Sequence, residues 1–246
     1  MRNVEAFLMA VSFLTAVPVG KIGAEAKIGR SIAYFPLVGL MIGAVLIFID
    51  LGARSFLPDE IRNAFLVLAL VAITNGFHLD GLADVADGIG GGETSDDALE
   101  IMKESRIGAF GAAAIFFDLL LKYVLLNRLS GGIRLGVLAA FPTLSRWAMS
   151  VSVATQRSPR GEEGLAGWLR ARATRTDSAA ATALALAVIA VALGGKAIAV
   201  FAVASLTASG IILYFRHRLG GMTGDCHGAL NEVVEIAVLL TAAVIG

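Results

Sequence analysis

Apolar residues run along this chain in blocks of membrane-spanning length, separated by short polar stretches. A helix that crosses a bilayer needs about 20 mostly apolar residues. Blocks at 33–51, 61–79, 107–126, 133–153, 178–194, 197–215 and 228–245 approach or meet that length. Lipid offers no partners for bare backbone, so continuous hydrogen-bonded helices are predicted. The stretch 4–18 is shorter and ends near Pro18 and Gly20. It reads as an interfacial helix, a half-span or an eighth span. Pro36 falls near the start of the first long block, where a helix tolerates proline. No repeat or linker divides the chain, and the Ala-rich run 178–193 has the composition of a membrane helix. The expected fold is an all-α polytopic membrane bundle of about seven transmembrane helices plus an N-terminal apolar helix. It forms one integral membrane domain over residues 1–246.

Composition supports that class. Hydrophobic residues make up 57% of the chain and charged residues 16%, with a mean hydropathy of +0.79. Soluble domains usually carry about 25% charged residues. The formal net charge is zero, so no basic footprint points to nucleic acid. The single cysteine, Cys226, excludes an intramolecular disulfide and a multi-cysteine zinc site. Glu5 interrupts the first apolar run, which also lacks a small-x-small cleavage site. The N-terminal segment is therefore expected to stay in the mature protein.

Lysine and arginine set the orientation. Thirteen of them fall in the N-terminal tail and every second loop, including Lys103, Arg106 and Arg157. Five fall in the alternate loops: Arg54, Arg62, Arg128, Arg134 and Lys196. The bias puts the richer loops in the cytoplasm. Two motif-like stretches, 80–104 and 216–227, lie on that same side.

The first is "HLDGLADVADGIGGG", residues 78–92. Steps of four and seven residues on a helix return within about 60° of one direction. Asp80, Asp84 and Asp87 then share a face, and three carboxylates at a membrane boundary call for a cation. Hard oxygen donors suit Mg²⁺, Mn²⁺ or Ca²⁺ rather than zinc. Mg²⁺ usually takes one or two protein carboxylates and leaves room for substrate phosphates. A magnesium-dependent phosphoryl or nucleotidyl transfer site at the membrane surface follows. The plainer alternative is a solvated acidic helix start capped by Asp80. Gly81 and Gly88, with Ala83 and Ala86, leave room for a neighbouring helix or a bulky diphosphate.

The second stretch is "GGMTGDCHGALNEVVEIAVLL", from residue 220. Asp225 and Glu232 are seven apart on one face. Glu235 enters the last span, where a carboxylate is functional by default unless it pairs with Lys122 or Arg146. His227 and Cys226 diverge by about 100° and do not make a metal pair. His78 either contacts substrate or is a polar residue at a helix interface. Phosphates also need cations. Lys103 and Arg106 in "EIMKESRIGAFG" supply two on one face, or else anchor the membrane surface. Arg146 in "FPTLSRWAM" is buried in a span and requires a phosphate or a carboxylate. Asp118 and Lys122, four apart, are expected to neutralise each other. "RSPRGEEGLAGWLRARATR" reads as a surface helix with Trp168 at the lipid interface.

These motifs, in this order and over residues 5 to 240, resemble the cobalamin synthase (adenosylcobinamide-GDP ribazoletransferase) family. The stretches that carry the likeness are "YFPLVGLMIG", "HLDGLADVADG", "EIMKESRIGAFG", "FPTLSR" and "TGDCHGALNEVVE". The resemblance implies attack of α-ribazole, or its 5′-phosphate, on the phosphorus attached to cobinamide, with release of GMP. It also implies Mg²⁺ as the metal. The bacterial cytoplasmic membrane is the expected location, with the active site facing the cytoplasm. A homo-oligomer or a complex with other late B12-pathway enzymes is compatible with it. On this reading Asp80, Asp84, Asp87 and Asp225 hold the metal, with Glu232 completing the site. Asp87 or Glu232 takes the hydroxyl proton, beside Asp84. Lys103, Arg106 and Arg146 hold phosphate oxygens, and His78 lies near the substrate.

Two alternatives remain open. The aspartate motif is similar in style to the CDP-alcohol phosphotransferases, but Asp84 stands where their motif has arginine. A cation transporter would use the carboxylates as an ion site.

Overall fold

A computed structural model of the chain describes residues 2–19, 28–129, 131–159 and 164–246. Lys21, Lys27 and Arg160, which enter the charge bias, lie outside the described residues, as does the Trp168 side chain. The described residues form eleven α-helices and no strand. They are α1 (Arg2–Leu14), α2 (Phe35–Ala53), α3 (Asp59–Ile73), α4 (Phe77–Gly91), α5 (Ser95–Ile101) and α6 (Ala109–Arg128). Then come α7 (Arg134–Thr155), α8 (Gly164–Arg172), α9 (Arg175–Leu193), α10 (Ala197–Leu219) and α11 (Gly224–Ile245).

The all-α membrane bundle expected from the sequence is what the chain forms. Helices α2, α6, α7 and α11 are long and apolar enough to cross a bilayer, as is the stretch Arg175–Leu219. That stretch holds two passages. Gly194, at φ +56°, breaks it, and Trp147 touches both halves. Its indole donates to Thr182 of α9 at 2.9 Å and its ring lies 4.7 Å from Phe201 of α10. The chain therefore doubles back at the glycine. Helix α1, at 13 residues, is about 20 Å long and falls short of a span.

One expected span is not continuous. The block 61–79 breaks after Ile73, and α3 and α4 meet at 86°. Asn75 and Gly76 both take left-handed backbone, at φ 53° and 65°, which ends α3. The Gly76 N–H turns back to Val71 O at 2.9 Å, and Thr74 Oγ1 donates to Leu70 O at 3.0 Å. The break strands the Ile73 carbonyl, and the Ala16 N–H beyond α1 satisfies it at 2.7 Å. Helix α4 thus leaves α3 at a steep angle and carries Asp80 in its first turn.

Helix α7 is the central pillar, buried along nearly its whole length. Gly39 and Gly43 of "YFPLVGLMIG" let α2 lie against it. A Cβ on Gly43 would come within 2.6 Å of Leu138 O. Pro142 lacks the N–H that would have bonded that carbonyl. Close approach through small residues is the usual way membrane helices pack.

The end of the bundle opposite the aspartates is locked by a second charged cluster. Asp50 of α2 accepts from Arg62 of α3 at 2.8 Å and from Arg134 of α7 at 2.6 Å. Arg134 also reaches Asn63 at 2.5 Å and two carbonyls at the end of α6, Leu126 O in its last turn at 3.0 Å and Leu129 O of its C-terminal cap at 3.2 Å. Four helices are tied there by one carboxylate and two guanidinium groups.

Candidate active site

Helices α4 and α11 cross where the two acidic motifs meet. A Cβ on Gly81 would come within 2.8 Å of Asp225 O, and one on Gly228 within 3.1 Å of His78 O. The room left by these glycines is filled by the neighbouring helix. The crossing sets Gly81, which follows Asp80, against the backbone of Asp225. Asp80 is exposed, and Asp84 and Asp225 are half-buried. Thr223 caps α11 through Cys226 N at 3.3 Å and donates to Asp225 Oδ2 at 3.2 Å. Among the described residues, no three His, Cys, Asp or Glu side chains are arranged to hold a metal ion.

Asp87 is engaged differently. Its two oxygens accept the N–H groups of Gly108 at 2.7 Å and Gly111 at 2.9 Å. These are the capping residue and the third residue of α6, so Asp87 caps α6 from another helix. A Cβ on Gly108 or Gly111 would collide with the Asp87 carboxylate. "RIGAFG" is thus a carboxylate seat, a role its sequence alone did not disclose. Lys103 and Arg106 are both exposed in the segment just before that seat. Arg106 lies 3.7 Å from Glu104, in a pair too exposed to restrain it much.

Glu232, expected to complete the metal site or take the hydroxyl proton, and Arg146, expected at the phosphates, lie inside the bundle. Asp225 and Glu232 share a face of α11, but seven residues separate them by about 10 Å of helix. Lys122 of α6 is the hub. Its ammonium pairs with Glu232, with Glu235 at 2.9 Å and with Asp118 at 3.0 Å. Glu235 also pairs with Arg146, which no solvent reaches. Ser145 and Asn231 donate to Glu235 at 3.3 and 3.2 Å. His78 Nδ1 lies 3.4 Å from Arg146 Nη2. The ion pairs weighed for Glu235 with Lys122 or Arg146 therefore both exist, and Asp118 shares its lysine with two glutamates. A narrow cavity reaches this network between α3 and α6, lined by Thr74, Leu79 and Leu119 among others. His227 is separate: its Nδ1 lies 2.6 Å from Ser152 Oγ, and Cys226 beside it is buried.

The crossing provides hard oxygen donors on two helices at one end of the bundle, with two exposed cations on an adjoining segment. That donor chemistry fits a magnesium ion that takes few protein ligands and completes its shell with water and phosphate oxygens.

The chain matches the family model described as Cobalamin-5-phosphate synthase over residues 6–243. Among its relatives, the adenosylcobinamide-GDP ribazoletransferase of Caldanaerobacter subterraneus subsp. tengcongensis is 33% identical, over 98% of each chain. That of Thermoanaerobacter pseudethanolicus is 32% identical, over 98% of this chain and 97% of its own. That of Ralstonia nicotianae is 37% identical, over 94% of this chain and 92% of its own. No solved structure matches significantly. The match runs through both acidic motifs and nearly end to end, and the chain belongs to the cobalamin-5-phosphate synthase family.

Proposed function

We propose that this chain is an adenosylcobinamide-GDP ribazoletransferase. A hydroxyl of α-ribazole, or of its 5′-phosphate, attacks the phosphorus that carries the cobinamide. The new P–O bond forms as the bond to GMP breaks. The hydroxyl proton passes to a carboxylate, and the corrinoid product and GMP leave. The full-length match to enzymes of that name supports this reading, and so does the carboxylate crossing of α4 and α11. It outweighs a phospholipid-type CDP-alcohol transferase or a cation transporter, because the relatives above match nearly end to end and carry the ribazoletransferase name.

Asp84 and Asp225, one from each helix, are our assignment for the Mg²⁺ site, with water and phosphate oxygens filling the rest of the shell. Bound there, the metal supplies Lewis-acid stabilisation of charge on the diphosphate. Lys103 and Arg106 hold phosphate oxygens from the exposed side. Glu232 faces Lys122 and Asp87 faces two backbone amides, so neither is our choice of proton acceptor. Arg146, Glu235 and His78 orient the helices from within. The thirteen-to-five charge bias supports a cytoplasmic orientation for this face, on the side where nucleotides are available.

Asp84→Ala, purified in detergent, tests the assignment. It should remain folded and lose GMP release by orders of magnitude, and EDTA should silence the wild-type chain until Mg²⁺ is restored. Near-normal turnover in Asp84→Ala, or in EDTA, contradicts the metal assignment.

A further inference from the structure

We infer that Asp87 is a positioning residue: it acts through the 102–108 segment, fixing Lys103 and Arg106 against the nucleotide diphosphate, and stands outside the metal shell. The inference rests on the transferase reading above. Its first support is the double backbone contact. The start of a long helix carries unpaired N–H groups and partial positive charge, and both Asp87 oxygens are spent on two of those groups. The Asp87 carboxylate occupies the space that a Cβ at Gly108 or Gly111 would take.

Its second support is independent of Asp87. The rest of the segment also grips the C-terminal half of α4. Met102 is buried, and a Cβ on Gly88 would meet its Cγ at 2.5 Å. The Phe110 ring covers Gly90, whose Cβ would meet it at 2.6 Å. Residues 103–107 are therefore an arch with both feet on the aspartate helix. Its two cations, Lys103 and Arg106, project from the arch into solvent. Asp84 lies one turn back along α4 from Asp87, about 4.5 Å of rise. Docking the arch on Asp87 thus sets the distance from its cations to the metal-binding turn.

The test measures GMP release by the full chain against both adenosylcobinamide-GDP and Mg²⁺ concentration. The variants are Asp87→Asn, Arg106→Ala, their double mutant, and Asp84→Asn as the metal benchmark. Asp87→Asn is expected to raise KM for adenosylcobinamide-GDP about tenfold, the effect of losing one charge-assisted contact. Half-saturating Mg²⁺ should move less than about twofold, and the double mutant should be little worse than the poorer single one. Asp87→Glu should not restore the wild-type KM, because its longer side chain overfills the glycine seat. If Asp87→Asn does not accumulate, Gly111→Ala perturbs the same contact from the other side and should give the same KM phenotype. A tenfold or larger rise in half-saturating Mg²⁺, or multiplicative losses in the double mutant, overturns the inference. So does an unchanged KM. Failure of Asp84→Asn to disturb Mg²⁺ dependence would instead count against the transferase-site reading.

Discussion

Replacing Lys122 with methionine exposes the electrostatics of the bundle interior. The side chain keeps its length and apolar stem but loses its charge. In the native network Lys122 and Arg146 face three carboxylates, Asp118, Glu232 and Glu235. All five side chains are buried. Lys122→Met leaves Arg146 alone against the three acids. Removing one partner of a buried pair typically costs about 3–5 kcal/mol, because the other charge stays desolvated. Here three acids lose a shared cation, so the upper part of that range applies. In a chain of this size 1 kcal/mol moves the melting temperature by about 2–4 °C. A drop of roughly 10 °C or more is expected in thermal unfolding of the detergent-purified protein. Glu232→Gln leaves two cations against two acids and should cost much less. Adding Glu232→Gln to Lys122→Met should recover part of the loss. A Lys122→Met protein that melts within about 2 °C of wild type would refute the reasoning.

Other substitutions separate close packing from mere glycine content. Gly81→Ala should disrupt the α4–α11 crossing and sharply lower GMP release, since its Cβ would reach within 2.8 Å of Asp225 O. Gly210→Ala, with no atom within 4 Å of the added Cβ, should behave like wild type in the same assay. Arg134→Leu strands Asp50 and two carbonyls at the end of α6, and should lower the melting temperature while leaving KM for the nucleotide substrate near normal. Asp97 sits in a capping box with Thr94, whose hydroxyl and N–H hold its carboxyl below the usual 3.8. That contribution is present above pH 3.8 and is lost as pH falls through the lowered folded value. Amide exchange in α5 should therefore accelerate only at strongly acidic pH in the wild type, and Thr94→Ala should show fast exchange already at neutral pH.

Most of the bundle was legible in the pattern of apolar blocks. Six of the seven blocks became helices with ends shifted by a few residues, because spanning length and backbone satisfaction leave little choice. The seventh hid its break. Asn75–Gly76 carries a turn signal, but the run on either side is so apolar that length alone favours one straight helix. The break matters, since it turns the aspartate helix across α11. Periodicity correctly placed Asp80, Asp84 and Asp87 near one face of α4. It could not say that the last of them meets Gly108 and Gly111, because that contact joins residues more than 20 apart. Glu235 and Arg146 were legible as partners through the cost of isolated charge in a span. Lys122 was read with its helical neighbour Asp118 and as one alternative partner of Glu235, and tertiary packing added Glu232 to both. Arg62 and Arg134 were counted only as loop charges at block ends, and their shared partner Asp50 was not singled out, because the cluster joins three helices.

The most direct test of the account is product formation. Purified protein would be incubated with adenosylcobinamide-GDP, α-ribazole and Mg²⁺, with GMP and corrinoids followed by chromatography. The account predicts one GMP released for each corrinoid that gains the ribazole, and no such product from Asp84→Ala. Absence of a joined corrinoid from folded wild-type protein, or equal yield from Asp84→Ala, would contradict it.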